Sequence, residues 1–177
     1  MKRLLVLLMV TLSWSALSWS AQEYADDAER IRVRLIQMPY KGSRNVPELS
    51  QAPSYLEEGG LKMRLQRLNC RLEPTATVEL TPEEQDDYGE WHRLGLANGH
   101  LARIVAETEQ RSVFSVGLLA NCNSLMGMLG GLQQSGPTRR PLKVGLVFID
   151  SHADFNTPES TLSGMLGGMP VAVSAGH

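Results

Sequence analysis

The fold of this chain is decided by the stretch Val144-Gly145-Leu146-Val147-Phe148-Ile149-Asp150-Ser151-His152-Ala153-Asp154. Its apolar first part follows Pro141 and has no polar face, which is typical of a strand buried on both sides in a parallel sheet. Beyond it, Asp150, His152 and Asp154 occupy alternate positions, which an extended backbone points to the same side. Because open α/β sheets bind ligands beyond the carboxyl ends of their strands, we expect a ligand site here.

These polar side chains are of the types that bind metal ions. Carboxylates with a neutral imidazole suit Mn²⁺, Fe²⁺ or Zn²⁺, and the excess of oxygen ligands favours Mn²⁺. A carboxylate that bridges two ions would allow a binuclear site, which generates hydroxide near neutral pH. The alternative is a polar loop that ends the strand, with Asp154 and Asn156 serving turns.

Strand-like and helix-like segments alternate along the rest of the chain. The segment 31–37 alternates apolar and polar residues, which predicts a first or edge strand. Further strands are predicted within 70–80, at 112–119 and at 144–149, and helices at 47–58, where Gly59-Gly60 ends the helix, at 81–111 and at 125–132. This order predicts an α/β protein with a parallel sheet and right-handed crossovers.

Residues 1–21 have the order of regions found in a secretory signal peptide. Lys2-Arg3 precedes an apolar run from Leu4 to Leu12, and small residues follow it. We expect cleavage near residues 18–21, a linker over 22–29, and a secreted or periplasmic protein. The alternatives are an uncleaved membrane anchor, for which the apolar run is short, or a wrongly assigned start codon in a cytoplasmic protein.

The composition is that of an ordinary globular domain. The 177 residues are 42% hydrophobic and 20% charged, with a net charge of −2. Because the chain has no basic stripe, we expect no nucleic-acid partner, and after signal cleavage we expect no stable membrane partner. Cys70 and Cys122 could pair in an exported protein, but the sequence does not give their distance.

Two segments closely resemble the signature of the arginase/agmatinase family of ureohydrolases. Residues 150–159 read Asp-Ser-His-Ala-Asp-Phe-Asn-Thr-Pro-Glu, and residues 163–170 read Ser-Gly-Met-Leu-Gly-Gly-Met-Pro. The family has Asp-Ala-His-x-Asp-x-Asn-Thr-Pro and then Ser-Gly-Asn-Leu-His-Gly-x-Pro at the same spacing. Residues 33–40 are also similar to the family's opening strand and loop.

The resemblance implies a three-layer α/β/α fold with a mostly parallel central sheet, of the arginase/deacetylase-like type. It also implies a binuclear Mn²⁺ site, at which a metal-bridging hydroxide attacks a guanidinium carbon and releases urea or a related product. By matching position, Asp150 would bridge both ions, Asp154 would bind one ion and His152 the other. Asp154 is therefore the candidate catalytic residue.

The implied substrate is a small guanidino molecule, such as arginine or agmatine. Asn156, Thr161 and Ser163 match positions that contact the amino-acid end of the substrate in family members. Many members form trimers or hexamers, so a homo-oligomer is one expectation for this chain.

The chain departs from the family at its metal site. Where the family has Gly-Gly-Asp-His-Ser, this sequence has 120–124, Ala-Asn-Cys-Asn-Ser, so Asn123 occupies the position of a metal-binding histidine. Cys122 could replace it only if the backbone turned the thiol inward. Gly167 replaces the histidine assigned to proton transfer, and Met165 replaces the neighbouring asparagine.

The family's other metal-binding segment, Asp-x-Asp-x-x-Asp-Pro, has no match in residues 1–177. We therefore expect residues 30–177 to be the N-terminal part of an incomplete arginase-like domain, which binds two ions, one or none. Two functions stay open. The first is a metal-dependent amidinohydrolase, and the second is a catalytically inactive arginase-like pseudoenzyme or a metal- or ligand-binding module.

Overall fold

The structure is a computed structural model that describes residues 30–40, 42, 47–137 and 140–177. The predicted signal peptide, 1–21, and the predicted linker, 22–29, lie outside the described residues. Within the described ranges, no helix combines the length and the apolar character that crossing a membrane requires.

Short strands and helices alternate along the described chain. The strands are β1 (Arg32–Met38), β2 (Arg71–Leu72), β3 (Ala76–Thr77) and β4 (Phe114–Leu119). The helices are α1 (Ala52–Leu56), α2 (Lys62–Arg67), α3 (Pro82–Gln85), α4 (Glu90–Gln110), α5 (Leu125–Gln134) and α6 (Pro170–Ser174). Single 3₁₀ turns cover Pro47–Gln51, Cys122–Ser124 and Leu166–Gly168, and a π turn covers Glu57–Leu61.

Strand β1 is the centre of the described sheet. Strand β4 pairs with it in parallel along most of its length, from Val33 opposite Phe114 to Met38 opposite Leu119. The short strands β2 and β3 also pair with β1 in parallel. The expectation of an edge position for this strand is therefore wrong, because its neighbours occupy both of its hydrogen-bonding edges.

Helices cover both faces of β1. On one face Ile36 and Met38 are fully buried and pack with Leu101 and Val105 of α4. On the other face Gln37 donates a hydrogen bond from Nε2 to Oε2 of Glu57 at 2.6 Å, in the turn between α1 and α2. The predicted α/β class, with a parallel sheet between helical layers, is confirmed.

The predicted strand at 144–149 is wrong for this structure. Residues 141–149 form no regular secondary structure, and Val147 and Ile149 are 86% and 92% exposed. The described strands all pair with β1, so this apolar segment has no strand beside it within the described ranges. An apolar run is buried as a strand only where neighbouring strands pair with it. The sequence of one segment does not show whether such neighbours are present.

The other predicted elements differ from the observed ones mainly in their ends. The helical region that begins at Pro47 does not end at the glycines, because Gly60, at φ 95°, only kinks the chain before α2. The strand expected within 70–80 is two pairs of residues on either side of Pro74, which has no N–H to donate. The long helix expected from residue 81 is divided into α3 and α4, although Thr81 and Glu84 do form the expected N-terminal cap, as a capping box.

Helices α4 and α5 approach closely at the glycines of α5. A Cβ atom added at Gly131 would lie 2.5 Å from Cβ of Val105 and 2.6 Å from the carbonyl oxygen of Ala102. One turn earlier, the N–H of Gly127 donates to Oδ1 of Asn98 at 2.7 Å. The side chain of Asn98, in α4, thus accepts the N–H of Gly127. This N–H lies in the first turn of α5 and has no acceptor within its own helix.

We expect Gly131→Ala to lower the free energy of unfolding by about 1–3 kcal/mol, because the new methyl group overpacks this contact. Gly99→Ala in α4 is the matched control, since an added Cβ there meets no atom within 4 Å. The control should be stabilised by up to about 1 kcal/mol through helix propensity. Urea denaturation measures both values, and equal stability of the two variants would contradict the close approach.

Glu73 joins the start of β1 to the end of α4. Its carboxylate accepts hydrogen bonds from Nη2 of Arg32 at 2.6 Å and from Nη2 of Arg111 at 2.9 Å. Nη1 of Arg32 also donates to the carbonyl oxygen of Arg111 at 3.2 Å. The hydrogen bond from Arg32, followed by that from Arg111, lowers the pKa of Glu73 below its ordinary value of 4.5.

Glu73→Gln should therefore lower the free energy of unfolding at neutral pH. A carboxyl group whose pKa is lower in the folded state stabilises the fold above its unfolded pKa, and this contribution is lost as the pH falls through the folded pKa. The difference in the free energy of unfolding between wild type and the variant should accordingly shrink below pH 4.5. Urea denaturation at pH 7 and pH 3 measures this difference, with exposed Glu79→Gln as the control. A loss of unfolding free energy of the same size at both pH values would refute the lowered pKa of Glu73.

Candidate metal centre

The turn that follows β4 brings Cys122 to the site. The N–H of Ala120 donates to the carbonyl oxygen of Met38 at 3.1 Å, and the chain then leaves the sheet. Asn121 caps the next 3₁₀ turn, because its Oδ1 accepts the N–H of Asn123 at 2.9 Å. This capped turn places Cys122 at the open side, where its side chain lines a cavity, and leaves Asn123 buried behind it.

A second turn shapes the segment with the predicted ligands. The N–H of His152 donates to Oδ1 of Asp150 at 3.0 Å, so the backbone bends instead of remaining extended. This hydrogen bond is also the main cause that holds the pKa of Asp150 below its ordinary value of 3.8. Because of the bend, His152 does not join the two carboxylates, and its side chain is 82% exposed with Nδ1 3.2 Å from Oγ of Ser151.

Asp154 turns the chain back toward the cavity. Its φ of 46° lies in the left-handed region, which aspartate adopts more readily than most residues. Its carbonyl oxygen accepts the N–H of Val171 at 3.0 Å, which fixes the turn against α6. The residue is only 8% exposed, and within the described part of the chain its Oδ2 has no hydrogen-bond partner.

Cys122, Asp150 and Asp154 form a cluster that fits a cation. One ligand atom of each residue lies within 4.8 Å of the other two. A buried carboxylate oxygen without a partner is costly to desolvate, and a bound cation would remove that cost. The two carboxylates and the thiol are therefore a donor set that a divalent metal ion would satisfy.

The other predicted ligands lie apart from this cluster. Nδ2 of Asn123 donates to Oδ1 of Asn121 at 3.0 Å, behind the turn. His152 lines the same cavity, but its ring lies beside Ser151 and outside the cluster. Cys122, which the sequence offered as a replacement for Asn123 only if the backbone turned the thiol inward, does lie in the cluster.

The cluster opens into a cavity of about 630 Å³. Asn156, Thr161 and Ser163, the predicted substrate-binding residues, all line it, and so do Met165 and Gly167. The N–H of Asn156 donates to the carbonyl oxygen of Gly168 at 2.9 Å, which holds together the two segments of the signature.

A smaller cavity of about 390 Å³ shares Cys122 and Asp150 with the first. Its other walls are largely apolar and include Leu119, Leu125 and Phe148. Cys122 and Cys70 do not form a disulfide, and Cys122 lines both cavities.

No family model matches the chain. Human mitochondrial arginase-2 is 31% identical over 145 residues, which cover 79% of this chain and 40% of that protein. The arginase of Bacillus caldovelox is 27% identical over 150 residues, which cover 81% of this chain and 48% of that protein.

Solved structures that resemble this chain are also arginases. The arginase of Bacillus caldovelox matches with a TM-score of 0.70 and 25% identity, over 83% of this chain and 50% of that one. The fold of Bacillus subtilis arginase matches with a TM-score of 0.69 and 23% identity, over 82% of this chain and 47% of that one.

The class of fold is thus an α/β protein with a parallel sheet, as in the arginases. The chain is similar to the arginases in sequence and in fold over about four-fifths of its length, and the predicted resemblance is confirmed. The chain spans less than half the length of the curated relatives named above, 40% of one and 48% of the other.

Proposed function

We propose that this chain carries the carboxylate part of an arginase-type hydrolytic site, at which a metal-dependent reaction cleaves a C–N bond of a guanidino compound and releases urea or a related product. The observation that carries the proposal is the convergence of Asp150 and Asp154, with a buried oxygen of Asp154 that lacks a partner among the described residues. The homology to arginases supports the reaction class.

Asp150 and Asp154 would hold the metal, which we propose is Mn²⁺, as one ion or two. A bound divalent ion of this kind supplies Lewis-acid activation of water near neutral pH. Asp154 is the proposed catalytic residue because it lines the cavity and its buried Oδ2 has no partner among the described residues. His152 would join the ligands after a rotation of its exposed ring, and Asn123 after release from Asn121.

The polar wall of the cavity suits the amino-acid end of a small substrate. Oγ1 of Thr161 accepts the N–H of Gly164 at 3.1 Å, and Oγ of Ser163 accepts the N–H of Met165 at 3.3 Å. Each hydroxyl group therefore keeps its own proton to donate to a substrate oxygen, and the amide of Asn156 adds a further polar group. A volume of about 630 Å³ is within the range of small-molecule sites.

A catalytically inactive, metal- or ligand-binding relative is the second candidate. Two observations favour it: the amide of Asn123 is buried and bonded to Asn121, and Gly167 supplies no side chain where the family has a proton-transfer histidine. A homo-oligomer, and export by a signal peptide, remain predictions for either function.

We expect Mn²⁺ to raise the midpoint of thermal unfolding and Asp154→Asn to abolish this rise. An ion that binds only the folded state at a hundred times its Kd stabilises it by about 2.7 kcal/mol. Asparagine also tolerates the left-handed conformation, so the variant should fold without the ion. Exposed Glu159→Gln removes the same charge from the same segment and should keep the full Mn²⁺ effect.

The release of urea from arginine and agmatine, measured with Mn²⁺ on the same proteins, separates the two functions. Turnover that depends on Asp154 but not on Glu159 supports the hydrolase. An Asp154-dependent Mn²⁺ effect without turnover supports the inactive relative. If neither Mn²⁺ nor Zn²⁺ changes wild-type unfolding and no urea is released, the hydrolase and the metal-binding relative both fail.

A further inference from the structure

We propose that Cys122 is a metal ligand together with Asp150 and Asp154, and that its thiolate makes the site prefer Zn²⁺ or Co²⁺ to Mn²⁺. The inference rests on the proposed function in that both need a metal at the two carboxylates. It goes further because it adds a sulfur ligand and changes the expected ion.

The position of Cys122 follows from the turn after β4. The side chain of Asn121 binds both the backbone N–H and the Nδ2 of Asn123, at 2.9 and 3.0 Å. These two hydrogen bonds hold the amide of Asn123 against the side chain of Asn121. The preceding residue, Cys122, is left at the mouth of the turn, with its Sγ within 4.8 Å of a carboxylate oxygen of Asp150 and of Asp154.

The buried oxygen of Asp154 is a separate observation that indicates a cation. Oδ2 is inaccessible to solvent and lacks a hydrogen-bond partner among the described residues. Asp154 is 8% exposed, and its turn is fixed by the N–H of Val171 at 3.0 Å. The carboxylate is therefore held in place by the backbone, and Asp154 lines the cavity that Cys122 also lines.

The ligand types decide which ion the cluster prefers. Thiolate is a soft ligand that selects Zn²⁺ over Mn²⁺, whereas a set of oxygen ligands alone suits Mn²⁺. Three protein ligands with an open fourth position are the arrangement of catalytic zinc sites. On binding, the thiol of Cys122 gives up its proton to solvent and the sulfur donates an electron pair to the ion.

Binding of Co²⁺ tests whether Cys122 is a ligand, because a thiolate bound to Co²⁺ gives a charge-transfer band in the near ultraviolet that oxygen ligands do not give. Titration of the reduced wild-type chain with Co²⁺ should produce the band, and Zn²⁺ should displace Co²⁺ and remove it. Cys122→Ser should lose the band and bind Zn²⁺ about tenfold or more weakly. Cys70→Ser should keep both properties, since Cys70 lies beside the carbonyl oxygen of Leu68 at 3.9 Å.

Thermal unfolding of the metal-free Cys122→Ser variant, with a midpoint equal to that of wild type, excludes misfolding as the cause of a lost band. Binding of Co²⁺ to wild type without the band would overturn the role of Cys122 and leave the proposed function standing. A lower Kd for Mn²⁺ than for Zn²⁺ would overturn the preference. If neither ion binds, the inference and the proposed function fail together.

Discussion

The parallel pairing of β1 with β4 is the interaction on which the rest of the described structure depends. The pairing runs from Val33 opposite Phe114 to Met38 opposite Leu119. It holds β1 in the sheet, where residues on both faces of the strand are buried. Because one face packs on α4 and α4 packs on α5, the pairing also fixes the position of α5. The same pairing ends where the turn carrying Cys122 begins, so the sheet positions the thiol side of the candidate site.

The carboxylate side of the site is held differently. Its chain segment has no strand neighbour within the described ranges, and the backbone hydrogen bonds from Val171 to Asp154 and from Asn156 to Gly168 hold it instead. These bonds are local to one loop and to α6. The two halves of the candidate metal site therefore depend on separate parts of the fold, one on the sheet and one on the loop.

The parts of this architecture that could be predicted from sequence are those set by local pattern. Alternation in 31–37, the cap at Thr81 and the apolar run ending at Leu119 each predicted an element that exists. The strand at 144–149 could not be judged this way, because burial depends on neighbouring strands that one segment does not reveal. The central position of β1 was missed for the same reason.

Prediction of the site was limited by backbone conformation. The spacing of Asp150, His152 and Asp154 predicts convergence only in an extended chain, and the hydrogen bond from His152 N–H to Asp150 bends it. The left-handed turn at Asp154 restores the approach of the two carboxylates, but it leaves the imidazole outside. Cys122 could not be chosen over Asn123 from sequence, since the choice depends on the side-chain hydrogen bonds of Asn121.

The central claim is that Asp150 and Asp154 form a divalent-metal site. Anomalous diffraction from crystals of this chain soaked with Zn²⁺, recorded on both sides of the zinc absorption edge, tests it most directly. An anomalous peak is expected about 2.0–2.2 Å from a carboxylate oxygen of each residue. Zinc peaks elsewhere on the chain, with none between these two carboxylates, would contradict it.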